Sequence, residues 1–262
     1  MTTEFASQFR SGPQHVEDLH HRRLAGPVLA EEAEDLAAHR DELIISTKAG
    51  YLMWDGPYGN WGSRKYLLAS LDQSLRRMRL DYVDIFYSHR PDPNAPLEET
   101  MEALHDVVKS GKVRYLGASS MWAWQFAKMQ QIAQQHGWSR FVSMQNHYNL
   151  VYREEEREMI PLCQDLGVAL LPWSPLARGF LVSDPSGDQV RSTPRSQTDD
   201  VQGKFYGRTE DLQVRQALHD MARAKQIEPS TLAYAWLLHK GVTAPIVGTE
   251  GFDTINFVQR EL

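Results

Sequence analysis

Lys48 and His89 are the side chains whose placement first suggests chemistry. Each closes a short apolar run: Glu42-Leu43-Ile44-Ile45-Ser46-Thr47-Lys48 ends on the lysine, and Tyr82-Val83-Asp84-Ile85-Phe86-Tyr87-Ser88-His89 ends on the histidine forty-one residues later. Both runs read as buried strands with an ionisable group at the carboxyl tip, and parallel α/β folds hold their ligands outside that end. Three further runs close on Ser119-Ser120, on Gln145-Asn146 and on Trp173-Ser174-Pro175-Leu176. Taken singly, each has an ordinary alternative: a solvated lysine at a strand end, a satisfied structural histidine, a core tryptophan.

The segments between these tips have helical period. Leu67, Leu71, Leu75 and Met78 recur behind the N-cap candidate Ser63. Pro96 and Glu98-Glu99 open a run with Met101, Leu104, Val107 and Val108 that stops at Gly111. Phe126, Met129, Ile132 and Ala133 precede Gly137, and Met159, Ile160, Cys163 and Leu166 precede Gly167. Strands are expected over 42–48, 82–89, 113–118, 141–144, 168–172 and 244–247, and further helices over 28–39, 212–225 and 229–239. That alternation predicts about six parallel strands with intervening helices, in either a doubly wound sheet or a barrel. The polar stretch 183–208 is long for a connection in a compact domain and reads as a lid or mobile segment.

Composition narrows the function. The chain has 262 residues, which allows one large domain, and a formal net charge of −6. That charge provides no footprint for nucleic acid or an anionic membrane. Neither partner is expected. The one cysteine, Cys163, cannot form an internal disulfide and fits a reducing compartment. No signal-peptide or membrane-spanning stretch is read, so a cytoplasmic protein is expected. His15, His20 and His21 lie close together but lack a matched fourth ligand, and no metal is expected.

Over about residues 28 to 250 these tips resemble the aldo-keto reductases. The part from Asp41-Glu42-Leu43-Ile44-Ile45-Ser46-Thr47-Lys48-Ala49-Gly50 to Tyr87-Ser88-His89-Arg90 is similar to potassium channel β subunits and glyceraldehyde 3-phosphate reductases. From Gly117-Ala118-Ser119-Ser120-Met121-Trp122 to Trp173-Ser174-Pro175-Leu176 the chain looks more like aryl-alcohol dehydrogenases. The resemblance implies a (β/α)8 TIM-barrel-type fold over 28–262 behind an irregular tail, 1–27. It also implies NADP(H) at the strand tips and reduction of a small-molecule aldehyde or ketone. Lys48 then matches the family lysine, whose ammonium favours phenolate on a tyrosine acid, and His89 the histidine that donates to the substrate oxygen. Ser119, Ser120 and Gln145 match the nicotinamide carboxamide site, and Trp173 the aromatic stacked on the ring. Ser174, Pro175, Leu176 and Arg178 match the pyrophosphate loop, and Gly248 and Thr249 the start of the adenosine phosphate site.

The pattern also departs from the family. The family's Asp-Thr-Ala and Tyr-Gly segment, which supplies the catalytic Asp and Tyr before the lysine strand, has no counterpart here. The expectation is an incomplete barrel lacking its first two strands, with two open edges that an oligomer would cover. Loss of a positioned acid costs roughly 10² to 10⁴ in rate, so activity is expected to be weak or absent. Tyr51, Tyr58 and Tyr87 are the stand-ins within reach in sequence. Glu250-Gly251-Phe252-Asp253-Thr254-Ile255-Asn256 has no Arg or Lys for a 2′-phosphate, which leaves NAD(H) open. Two alternatives follow: a nicotinamide-nucleotide-binding pseudoenzyme or regulatory subunit, and a truncated gene product.

Overall fold

The computed structural model describes residues 39–185 and 202–247. The expected tail 1–27, the helix over 28–39 apart from its last residue, most of the 183–208 connection, and Gly248-Thr249 lie outside the described residues.

Five strands form one parallel sheet: β1 (Ser46–Ala49), β2 (Val83–Ser88), β3 (Val113–Ser119), β4 (Phe141–Gln145) and β5 (Ala169–Leu170). Helices α1 (Arg64–Met78), α2 (Leu97–Lys109), α3 (Ala123–His136) and α4 (Met159–Asp165) alternate with them. The strand order is β1-β2-β3-β4-β5. A doubly wound sheet reverses its order at a switch point. This one never reverses, so the arrangement is consistent with part of the wall of a (β/α)8 barrel, an alternative that hydrophobic period had left open.

One face of the wall packs under the helices. Ile45, Phe86, Leu116, Ala118, Phe141, Met144 and Leu170 share a core with Leu67, Leu71, Met101, Leu104, Phe126, Met129 and Cys163. The other face has Lys48, Tyr87, Gly117 and Ser143 in register across four strands. A bulge between β3 and β4 makes this possible: Leu116 pairs with Phe141 but Gly117 pairs with Ser143. Val142 is the extra residue. Without it, Ser143 and Gln145 would point to the helices; with it they join the inner row.

The strands are shorter than expected at both ends of the wall. Residues 40–42 form a 3-10 turn. There the side chain of Asp84 replaces a ladder partner, accepting from Ile45 N at 2.7 Å and pairing with Arg40 at 2.8 Å. Residues 244–247, expected as a sixth strand, run beside β5 without forming one. Thr243 N and Ala244 N both donate to Leu170 O, and Ile246 N to Pro172 O. Pro245 has no N–H with which to continue the ladder. After the segment outside the described residues come α5 (Gln202–Phe205), α6 (Thr209–Lys225) and α7 (Pro229–His239). Leu218 and Ala233 form a second core with Ala177, Phe180, Leu181 and Tyr206.

Candidate active site

The strand tips meet through one chain of hydrogen bonds. Lys48 Nζ donates to Gln145 Oε1 at 2.6 Å, across 97 positions of sequence. The main-chain carbonyl of Gln145 accepts from Ser119 Oγ at 2.9 Å and from Ser120 N at 3.1 Å. Ser120 Oγ in turn accepts from Trp173 Nε1 at 3.0 Å. Four strand tips are thereby tied to one mouth. Ser120 adopts a positive φ of 26°, which turns its hydroxyl to the indole as the chain leaves β3. Beneath them Tyr87 is 1% exposed, its ring 5.8 Å from Lys48 Nζ and its hydroxyl accepting from Ser143 Oγ. Burial raises its pKa, against hydrogen bonds from Ser143 and Gln145 that lower it. The phenol is therefore neutral at pH 7.

His89 is buried at the same edge, its N–H continuing the ladder to Ala49 O at 2.8 Å. Its ring meets the Tyr51 ring edge-on at 4.3 Å. The two loops approach closely because residue 50 is glycine: a Cβ there would lie 2.7 Å from His89 Cβ. Tyr58, the second stand-in considered, is exposed and packs under Lys65.

Trp173 is backed by aromatic rings that the strand tips alone did not suggest. His147 stacks on the indole at 4.0 Å and 10°, and Tyr152 covers the other face of His147 at 4.0 Å and 13°. Tyr206 closes the group, its hydroxyl 2.5 Å from His147 Nε2, while Asn149 donates to the Tyr206 oxygen at 3.1 Å and to Ser174 O at 2.9 Å. Burial, with the Arg178 charge nearby, lowers the His147 pKa to about 4. The imidazole is therefore neutral, and Nε2 shares one hydrogen bond with the Tyr206 hydroxyl. His147 lies two residues past Gln145 and shares its strand parity, a signal that could have exposed it. Tyr206, 59 positions farther on, gave no local signal.

After Trp173 the chain turns tightly through left-handed residues Ser174, Ala177, Arg178 and Gly179. Pro175 is buried, Leu176 packs against the second core, and Arg178 sits close enough to His147 and Tyr206 to act on both electrostatically. A half-buried indole backed on one face, an amide acceptor and a hydroxyl at one mouth are groups that fit a flat ring bearing a carboxamide. Among the described residues no group of three His, Cys, Asp or Glu side chains could hold a metal ion.

Behind the mouth, Glu155 lies near Asn146 and Cys163. Burial raises the Glu155 pKa to about 7, offset by Asn146 and reinforced by the Glu154 charge. Burial and then Glu155 push the Cys163 thiol up to about 12, so the free cysteine is an inert core residue.

A parallel wall in sequential order, with polar and aromatic tips at one mouth, is the arrangement of a barrel-type α/β protein, a class that places its ligands at the strand ends. The sequence model of the Aldo/keto reductase family matches residues 18–257, and the chain belongs to that family. It is 47% identical over 211 residues to an aldo-keto reductase of Fusarium vanettenii, covering 77% of this chain and 54% of the relative. A putative aryl-alcohol dehydrogenase of Schizosaccharomyces pombe is 47% identical over 191 residues, covering 71% and 52%. The L-glyceraldehyde 3-phosphate reductase of Escherichia coli O157:H7 is 44% identical over 225 residues, covering 82% and 63%. The chain thus spans little more than half the length of these relatives. Among the described residues no helix is long and apolar enough to cross a membrane.

Proposed function

We propose that this protein is an NADP(H)-dependent oxidoreductase that reduces aldehydes or ketones, aryl or small aldehydes among them, in the cytoplasm. Residues 28–262 are assigned to its barrel domain and 1–27 to a tail. The observation that carries the reading is the hydrogen-bonded chain from Lys48 through Gln145, Ser119 and Ser120 to Trp173. It brings an ammonium, an amide, two hydroxyls and an indole to one mouth, which supports the reading.

Trp173, Ser119, Ser120 and Gln145 would hold the nicotinamide, Ser174, Pro175, Leu176 and Arg178 the pyrophosphate, and Gly248 and Thr249 the adenosine end. When bound, the cofactor supplies a hydride to the carbonyl carbon. Oxyanion charge then develops on the substrate oxygen, Lys48 stabilises it through its ammonium, and the alkoxide takes its proton from solvent water to give the alcohol. His89, buried and braced by Tyr51, donates a hydrogen bond that orients the same oxygen.

The test is NADPH and NADH oxidation with a panel of aldehydes, beside a Lys48→Met control. Turnover that falls roughly 10²-fold or more in the control supports the reading; no turnover above it removes the enzyme. A second reading, a nucleotide-binding subunit without turnover, is favoured by the burial of Tyr87, which keeps the phenol beside Lys48 away from a substrate. Fluorescence quenching by NADPH that disappears in Trp173→Phe, with no aldehyde reduction, would select it. An oligomer that covers the outer edge of β1, which no described strand pairs with, belongs to either reading and is measured by sedimentation.

A further inference from the structure

The rim beside His89 carries a guanidinium that no carboxylate among the described residues balances. Arg90 Nη1 donates to the main-chain carbonyl of His89 at 2.6 Å, and its guanidinium carbon lies 5.6 Å over the Tyr51 ring. Among the described residues no Asp or Glu pairs with it; Arg76 and Arg140 also form no such pair, and what sets Arg90 apart is its place beside His89 and Tyr51. Carboxylates are not scarce, since the chain has 34 acidic residues against 28 Lys and Arg. The nearest in sequence, Asp92, is occupied by its own loop, accepting from Gly62 N at 3.0 Å and Asn94 N at 2.8 Å. A guanidinium has five N–H donors in a planar fork suited to a carboxylate, and most of those on Arg90 remain for a ligand.

Tyr51 gives this cation a fixed position relative to the chemistry. Its ring is half exposed and contacts both the His89 ring and the Arg90 guanidinium. Its carbonyl accepts from Tyr66 Oη at 2.5 Å, and the preceding Gly50 N donates to the same Tyr66 oxygen at 3.1 Å. Tyr66 is fully buried in α1, so the loop is pinned to the core. An imidazole, a flat apolar surface and a cation therefore adjoin one another at the rim.

We propose that Tyr51 and Arg90 form a substrate-recognition site for aldehydes that carry a carboxylate on a flat or short apolar spacer. The carbonyl oxygen sits at His89, the spacer lies along Tyr51 and the carboxylate takes the free edge of Arg90. This rests on the reductase reading of the same mouth and names the substrate class it selects.

The probes are 4-carboxybenzaldehyde and its uncharged methyl ester, with NADPH, on wild type, Arg90→Met, Arg90→Lys and Tyr51→Leu. Wild type should prefer the acid over the ester in kcat/KM. Arg90→Met should lower that preference about tenfold or more, mainly through KM, and Arg90→Lys should restore part of it. Tyr51→Leu should raise KM for both probes, and added salt should weaken only the acid. An unchanged acid-to-ester ratio in Arg90→Met overturns the proposal. If no aldehyde is reduced at all, the reductase reading fails by itself, and the subsite is read by saturation-transfer NMR of 4-(hydroxymethyl)benzoate. Binding that is lost in Arg90→Met sustains the subsite, and binding equal in both proteins overturns it. Circular dichroism on each variant separates lost recognition from lost fold.

Discussion

Gly117 lets one side chain cross the inner face of the wall. A Cβ at this position would lie 2.3 Å from Tyr87 Cε1 and 2.9 Å from Ser143 Oγ, and the Tyr87 ring is enclosed. Gly117→Ala should therefore destabilise the protein by about 1–3 kcal/mol, read from denaturant midpoints, as overpacking does. Two buried ionisable groups shape the pH dependence in opposite directions. The folded pKa of His147 is lowered to about 4 from 6.5, so the unfolded chain binds the extra proton between these values and stability falls as pH drops through them. For Glu155 the folded pKa is raised to about 7 from 4.5, so the native state holds the extra proton and stability falls as pH rises through that window. His147→Phe, which keeps a stacking ring, should flatten the acid limb. Glu155→Gln should raise stability at pH 8 by roughly 1–3 kcal/mol. Melts at pH 4, 6 and 8 check both.

At the scale of elements, the helix ends follow local rules that the sequence displayed. Ser63 caps α1, but its Oγ accepts from Tyr66 N at a long 3.4 Å. Ser63→Ala should therefore cost only about 0.5–1 kcal/mol, the low end for such caps. The far end of α6 breaks the usual choice, with Gln226 in the left-handed conformation at φ 57°. Gln226→Gly should raise stability by about 1 kcal/mol in thermal melts. The bulge at Val142 obeys no such local rule. It exists because Phe141 and Met144 both belong under the helices, while Ser143 must meet Tyr87 and Gln145 must meet Lys48.

For the whole molecule, the face of the wall turned away from the helices carries exposed apolar side chains. Ile44 is 52% exposed and Tyr115 58%, and no described strand pairs with the outer edge of β1. Exposed edges and apolar faces template association. Ile44→Lys should slow aggregation near the melting midpoint by roughly severalfold, measured by light scattering, because charge at an edge opposes pairing.

The sequence alone determined the alternation of strands and helices, the N-cap at Ser63 and the identity of the tip residues, because each depends on period or on neighbours a few positions away. Hydrophobic period did not determine strand order and left barrel and doubly wound sheet equal, so that the family resemblance alone pointed to the barrel. It also set the ends of the wall too generously, since the proline at 245 and the Asp84 carboxylate act on a neighbouring segment. Only tertiary structure decided that Trp173 is backed by His147, Tyr152 and Tyr206, that Lys48 meets Gln145, and that Arg90 stands beside Tyr51 with no carboxylate partner among the described residues. Those contacts join residues brought together by the curvature and register of the sheet, and chain spacing holds no record of which distant side chain will fill the adjacent space.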